Sequence, residues 1–177
     1  TDFAHYVQPH PNWFTLGPNV RFFAANHVKG VFEQGAYQSH GSEFAELRAW
    51  VLAQLLWNPA QNDRALINEF LDGYYGSAAP SIREYLELLH TNSVGWNLTC
   101  YSPPNAKFLN FTTLAVAEKL WDEAERKATP EVMPRVKLAR LWPRYVWLSQ
   151  WDRLRKECSD AGAQWPHGRA GQPEITL

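Results

Sequence analysis

The chain has 177 residues, of which 45% are apolar and 20% are charged, a balance that is ordinary for a globular protein with a hydrophobic core. A formal net charge of −1 and a sequence pI near 6.6 provide no basic field, so nucleic acid is not predicted as a partner. No apolar run reaches the roughly 18 residues of a transmembrane helix, and no membrane span is predicted.

The start of the sequence predicts a strand, a helix and a second strand, in that order. Residues 3–8 are predicted to form the first strand, which ends before a proline-rich segment. Pro18 and the apolar residues that follow it then indicate a short helix. Residues 28–33 are a short apolar run punctuated by glycines, which is typical of an interior parallel strand. This order is that of a βαβ unit and predicts a parallel sheet.

The rest of the chain is predicted to be mainly helical. Apolar residues at helical spacing, capping residues and prolines place helices at residues 42–59, 62–76, 77–90, 112–128 and 129–158. Pro143 is expected to kink the last of these. Residues 92–108 are one long irregular stretch, and a loop of that length in a compact domain is often functional. Five tryptophans at helical spacing are predicted to pack in the core: Trp50, Trp57, Trp121, Trp142 and Trp147.

Two parallel strands do not make a stable sheet on their own. The predicted fold is therefore mainly α with a small β part, namely the last one or two βα units of a TIM-type barrel followed by a C-terminal helical extension. We expect the barrel units at residues 1–60, a helical domain at 61–160 and a loosely ordered tail at 161–177. Since an incomplete barrel exposes strand edges, we also expect self-association or pairing with a missing upstream part of the barrel.

One long part of the sequence resembles a known family. The stretch from "FAHYVQPHPNWFTLGPNVRFF" through "GVFEQGAYQSHGSEFAELRAWVLAQLLWNP" to "INEFLDGYYGSAAPSIREYLELL" resembles the C-terminal part of a bacterial family with a domain of unknown function. That family is associated with glycoside hydrolases and related to the α-glucuronidase and β-hexosaminidase barrels. The resemblance covers roughly residues 1 to 90. It implies an extracellular or periplasmic, carbohydrate-active protein in which residues 28–33 form the last barrel strand.

Glu33 is a charged residue at the end of an apolar run. A carboxylate at the C-terminal end of a barrel strand lies on the face that carries the active site in such barrels. A carboxylate also accepts strong hydrogen bonds from sugar hydroxyls. Gln34 and Tyr37 would add donors and acceptors nearby. The alternative is a structural acid that pairs with Arg21 or Arg48.

Four further residues are candidates for contacts with a sugar. His5 is predicted near the pocket end of the first strand, where it either hydrogen-bonds a sugar or packs against the protein. Trp13 follows a proline-rich segment, and its ring either stacks on a sugar or covers the core. Trp96 and Tyr101 lie in the long irregular stretch and are the other aromatic candidates.

The sequence does not supply a catalytic pair. Ordinary glycoside hydrolysis uses two carboxylates roughly 5 to 10 Å apart, and Glu33 is the only carboxylate that ends a predicted strand. Glu43 and Glu46 are predicted to be solvated helix charges. Glu33 is therefore predicted to bind substrate, and the catalytic residues stay unassigned. No motif for nucleotide binding, acyl transfer or metal ligation occurs, so neither a cofactor nor a metal is predicted.

Two functions from different classes are consistent with these features. The first is the glycan-binding end of a glycoside-hydrolase-like protein, with Glu33 contacting the sugar. The second is a non-catalytic helical module for protein interaction or assembly, in which Glu33 is structural. The two differ in whether Glu33 and Tyr37 open into a cleft or lie covered by helices, and exposed apolar patches on the helices would favour the second.

The two cysteines, Cys100 and Cys158, leave the redox setting of the protein open. They allow one disulfide in an oxidising compartment or two inert thiols.

Overall fold

The computed structural model describes residues 2–37 and 41–168 of the chain. Within these residues the fold is helical, and the predicted mainly-α class is confirmed. The α-helices span Leu16–Ala25 (α1), Ala45–Trp57 (α2), Asp63–Tyr75 (α3), Ala79–Asn92 (α4), Phe111–Lys127 (α5), Met133–Ser149 (α6) and Trp151–Asp160 (α7). Short 3-10 helices at Trp13–Thr15 and Gly76–Ala78 precede α1 and α4.

Local sequence signals explain where several helices begin and end. The Asn62 side chain accepts a hydrogen bond from the Ala65 backbone N–H and caps the start of α3. Asn110 caps α5 in the same way, through the Thr113 backbone N–H. Gly76 ends α3 with a φ of 51°, a left-handed conformation that glycine adopts without strain. Local sequence therefore determines these helix boundaries.

The core lies between consecutive helices, each packed on the next from α1 to α6. Its centre is aromatic, with the Phe44 and Trp142 ring centroids 4.3 Å apart. Trp121, Trp142 and Trp147 are buried as predicted, whereas Trp57 at the end of α2 is 90% exposed. None of the described helices is long and apolar enough to cross a bilayer.

The first predicted strand, at residues 3–8, is wrong, because this segment is an irregular chain with turns. The Asp2 carboxylate accepts hydrogen bonds from the Ala4 and His5 backbone N–H groups at 2.9 and 3.1 Å. The Gln8 N–H then bonds back to the His5 carbonyl at 2.8 Å. Such local bonds curl the backbone and compete with the extended ladder of a sheet.

The second predicted strand, at residues 28–33, is also wrong. This segment is irregular and exposed, and the Phe32 side chain is 86% accessible. No strand occurs in the described residues to pair with it, and a lone extended segment cannot bond its backbone groups within a sheet. The small β part and the barrel units are therefore not seen, whereas the division at residues 60 and 160 stays a prediction.

The predicted helix at residues 129–158 is two helices, α6 and α7, with the break at Gln150. Pro143 lies inside α6 and does not end it.

Candidate functional site

A groove of about 690 Å³ runs between α2 and the segment that carries Glu33. Its apolar floor is a stripe of α2 residues at helical spacing: Ala45, Ala49, Leu52, Ala53 and Leu56. This stripe is distinct from the buried face of α2, which carries Leu47, Val51 and Leu55. Polar side chains also line the groove, namely Asn12, Glu33, Gln34 and Arg48, and Phe3 adds an aromatic wall. A concave site with an apolar floor and a few polar groups is the usual composition of a small-ligand site.

Glu33 lines this groove and is exposed. Glu33 would be a structural acid if it paired with Arg21 or Arg48, but neither arginine pairs with it. Arg21 bonds to Asp63 at 2.9 Å, and Arg48 bonds to Glu43 at 2.5 Å. No ion pair of Glu33 occurs among the described residues, so its charge is available to a ligand.

Arg48 holds the polar side of the groove together. Its guanidinium donates to the Glu43 carboxylate, to the His10 carbonyl at 2.6 Å and, through Nε, to the Asn12 side chain at 2.9 Å. It also donates to the Glu43 carbonyl. The guanidinium carbon lies 5.6 Å from the Trp13 ring centroid. These contacts tie the N-terminal segment to the start of α2, and they commit most of the guanidinium's five N–H donors to the protein.

Two ionisable groups beside Arg48 are strongly affected by burial. Glu43, predicted to be a solvated helix charge, is only 1% exposed and pairs with Arg48, so that prediction is wrong. Burial raises the pKa of Glu43, although the Arg48 guanidinium opposes the rise. The pKa of His10 is lowered to about 3, chiefly by burial and to a smaller extent by positive charge, including that of Arg48. The site therefore favours a neutral His10.

An aromatic cluster adjoins the groove at Phe3. The Phe3 ring centroid lies 5.9 Å from that of Tyr6, 6.5 Å from that of Tyr37 and 6.0 Å from that of Tyr101. Tyr37 is 63% exposed and Tyr101 is 69% exposed. Burial raises the pKa of Tyr6, with smaller effects from the neighbouring tyrosines. Of the predicted site residues, Glu33 and Gln34 line the groove, and Tyr37 stands beside its aromatic wall.

His5 and Trp13 are placed apart from the groove surface. The His5 Nδ1 atom shares a hydrogen bond of 2.5 Å with the Tyr145 hydroxyl on α6. Trp13 is fully buried, with its ring centroid 5.7 Å from that of Phe44. This placement corresponds to the alternative in which the ring covers the core. The ring also lies against the Arg48 guanidinium.

Sequence reasoning missed Phe3, Asn12 and Arg48 as residues of the groove. A signal for Arg48 was present, since it is the only cation in the otherwise mainly apolar α2. A single charge on an apolar helix face is rarely buried without a partner. Phe3 and Asn12 carry no comparable signal, because long-range packing brings them to the groove.

The lining of the groove carries groups that can hydrogen-bond a ligand. Among the described residues that line it, Glu33 is the only carboxylate, whereas ordinary glycoside hydrolysis uses two. Carboxylate and amide groups over an apolar floor suit a ligand that combines hydroxyl groups with a C–H surface.

Comparison with known proteins gives one match. No curated protein and no solved structure matches the chain. A family match covers 87 of the 177 residues, and all the residues that line the groove lie within it. This agrees with the predicted resemblance of the N-terminal part to a family with a domain of unknown function. Residues 1–87 are similar to the family described as "Domain of unknown function (DUF4838)".

Proposed function

We propose that this chain is the C-terminal portion of a carbohydrate-active, glycoside-hydrolase-like protein and that its groove binds a glycan. In this proposal Glu33 and Gln34 hydrogen-bond the sugar hydroxyls, and the α2 stripe meets the apolar face of the sugar ring. The resemblance to barrel glycosidases adds an extracellular or periplasmic, bacterial setting to the proposal.

One observation supports the proposal most directly, which is the position of Glu33. Glu33 is exposed, forms no ion pair in the described part of the chain and lines a groove of about 690 Å³. A hydrogen bond to a charged group contributes about 1.5 to 3 kcal/mol, more than a neutral one, so an unpaired carboxylate in a concave site is well suited to a polyhydroxylated ligand.

The proposed role of Glu33 is substrate binding. The Glu43 carboxylate, next in sequence towards α2, is buried and paired with Arg48, so it is not open to a reacting sugar. If the intact protein hydrolyses a glycan, the acid and its partner would come from other parts of it.

Calorimetric titration of a glycan panel tests this proposal. The panel contains cellotriose, chitotriose and xylotriose together with glucose, N-acetylglucosamine and xylose. For any sugar that binds, Glu33→Gln is expected to weaken the affinity about tenfold or more, because it removes one charge-assisted hydrogen bond. The matched control is Glu131→Gln, since Glu131 is also exposed and has no ion pair in the described part of the chain.

The control variant is expected to bind as the unmodified protein does. Equal affinities of the unmodified protein and Glu33→Gln would remove Glu33 from the site. Absence of binding to every sugar in the panel would remove the glycan proposal.

A second candidate function, protein interaction or assembly, is favoured by a specific apolar surface. Val28, Val31 and Leu56 meet around a cavity of about 230 Å³ between α1, α2 and the segment at residues 28–31. Their neighbours Phe32 and Trp57 are 86% and 90% exposed. A contiguous exposed apolar patch commonly marks a contact with another protein.

Light scattering over a concentration series tests this second candidate. Self-association of the chain is expected, and Phe32→Ser combined with Trp57→Ser is expected to weaken it. Val94→Ser is the control, because Val94 is 76% exposed and lies outside this surface. A monomer at every concentration would contradict self-association through this surface.

A further inference from the structure

We propose that the aromatic cluster of Phe3, Tyr6, Tyr37 and Tyr101 is a second sugar-binding subsite, so that the ligand of the groove is an oligosaccharide and not a single sugar. This inference rests on the proposed glycan function. It adds that the ligand contains several sugar units, and it names the residues that bind the additional units.

The cluster is assembled from three separate parts of the chain, because Phe3 and Tyr6 lie near the start, Tyr37 precedes α2 and Tyr101 lies between α4 and α5. Burial of aromatic area normally favours such a cluster, yet Tyr37 and Tyr101 keep 63% and 69% of their surface exposed. Rings that converge in this way and remain exposed offer flat apolar faces to a ligand.

The backbone at Tyr101 is held in place before any ligand arrives. Its backbone N–H donates to the Thr99 hydroxyl at 3.3 Å, and the Ser102 hydroxyl accepts from the Thr99 backbone N–H at 2.7 Å. The Phe3 backbone N–H bonds to the Cys100 carbonyl at 2.6 Å, which fastens this turn to the N-terminal segment. A pre-organised backbone loses little conformational entropy on binding.

Phe3 connects the cluster to the groove, because the same residue lines the groove and is the centre of the cluster. A ligand that occupies the groove beside Glu33 and extends past Phe3 therefore meets the exposed tyrosines. A chain of pyranose rings has this reach, whereas a monosaccharide contacts only one of the two regions. Rings with equatorial hydroxyls, as in β-1,4-linked glucan, chitin or xylan fragments, present the broad C–H face that an aromatic ring needs.

Calorimetry with trisaccharides and their monosaccharides tests the subsite. Cellotriose, chitotriose and xylotriose are each compared with glucose, N-acetylglucosamine and xylose. The unmodified protein is expected to bind one of the trisaccharides at least about tenfold more tightly than the matching monosaccharide. Tyr101→Ala is expected to remove that advantage, and Tyr101→Phe, which keeps the ring, is expected to retain it.

The outcomes separate this inference from the glycan proposal. Glu33→Gln is expected to weaken both the trisaccharide and the monosaccharide, because it acts in the groove. If sugars bind and respond to Glu33→Gln while Tyr101→Ala leaves the trisaccharide advantage intact, the subsite is overturned and the groove stands. If no trisaccharide binds better than its monosaccharide, the subsite is also overturned. If no sugar binds at all, both proposals fail.

Discussion

The guanidinium of Arg48 donates to the carboxylate of Glu43 at 2.5 Å, and the two side chains are only 10% and 2% exposed. The pair joins the start of α2 to the N-terminal segment, because Arg48 also bonds to the His10 carbonyl and the Asn12 side chain. The geometry of the groove therefore depends on the buried Arg48–Glu43 pair, since Arg48 itself lines the groove.

Replacing Arg48 by methionine is expected to destabilise the fold by about 3 to 5 kcal/mol, since it leaves the Glu43 carboxylate buried without a partner. The variant also removes the bonds to the N-terminal segment. Urea denaturation followed by circular dichroism measures the difference in the free energy of unfolding.

Lys156→Met provides the control for this experiment. Lys156 pairs with Asp160 at 2.6 Å, but the side chains are 77% and 62% exposed. An exposed pair of this kind contributes at most about 1 kcal/mol, so the control is expected to unfold close to the unmodified protein. Equal losses in the two variants would show that the Arg48 pair is no more important than a surface pair.

Stability is expected to fall as the pH drops, because of His10. The pKa of His10 is lowered from 6.5 to about 3 in the folded protein, chiefly by burial. The unfolded chain therefore takes up a proton on His10 well before the folded chain does, and this contribution is complete above pH 6.5 and lost as the pH falls towards 3. The free energy of unfolding should decline by up to about 1.4 kcal/mol per pH unit from this group.

His10→Asn isolates this contribution, because asparagine does not titrate. Glu43 acts in the opposite direction: its raised pKa makes a contribution that is present at low pH and lost as the pH rises through the folded value. The effect of Glu43 is common to both proteins and largely cancels in the comparison. Urea midpoints measured from about pH 7 to about pH 4 should decline less steeply in the variant, and parallel profiles would contradict the role of His10.

The helices could be predicted from the sequence because their signals are local. The capping side chains of Asn62 and Asn110 and the terminal Gly76 act within a few residues of the helix ends. Local signals could not decide whether residues 28–33 form a strand. An apolar run predicts a strand only if another strand lies beside it, and the described residues contain none.

The groove was predictable only in part, for a related reason. Glu33 could be identified as a charge in an apolar run, but the pair of Glu43 with Arg48 depends on how the chain enters α2. Phe44, between them, has a φ of 45°, which is rare for a bulky residue. Contact of its ring with Trp142 compensates for this strain. No periodic pattern indicates such a conformation.

The two cysteines are expected to react at different rates, because both are free thiols and only Cys100 is exposed. Cys158 is 3% exposed, and its Sγ atom lies 3.2 Å from the Ala163 carbonyl oxygen. A chromogenic thiol reagent should modify one thiol quickly in the native protein and the second only when urea unfolds the chain. In Cys100→Ser the fast phase should disappear, and a fast phase that persists in this variant would contradict the burial of Cys158.

Gly17 and Gly73 are both helical glycines, but their replacement by alanine is expected to have opposite effects. A Cβ atom on Gly17 in α1 would lie 2.7 Å from the Asp63 Cβ atom, whereas one on Gly73 in α3 meets no atom within 4 Å. Asp63 begins α3 and is held by Arg21 at 2.9 Å, so it cannot move away without loss of that ion pair. Gly17→Ala should therefore destabilise the protein by about 1 to 3 kcal/mol through overpacking.

Gly73→Ala should instead stabilise the protein by about 0.5 to 1 kcal/mol, because alanine restricts the unfolded chain and favours the helix. Urea denaturation of the two variants side by side measures both changes under the same conditions. Helix propensity alone would stabilise both proteins. A stabilised Gly17→Ala variant would thus show that α1 and the start of α3 do not approach as closely as the structure has them.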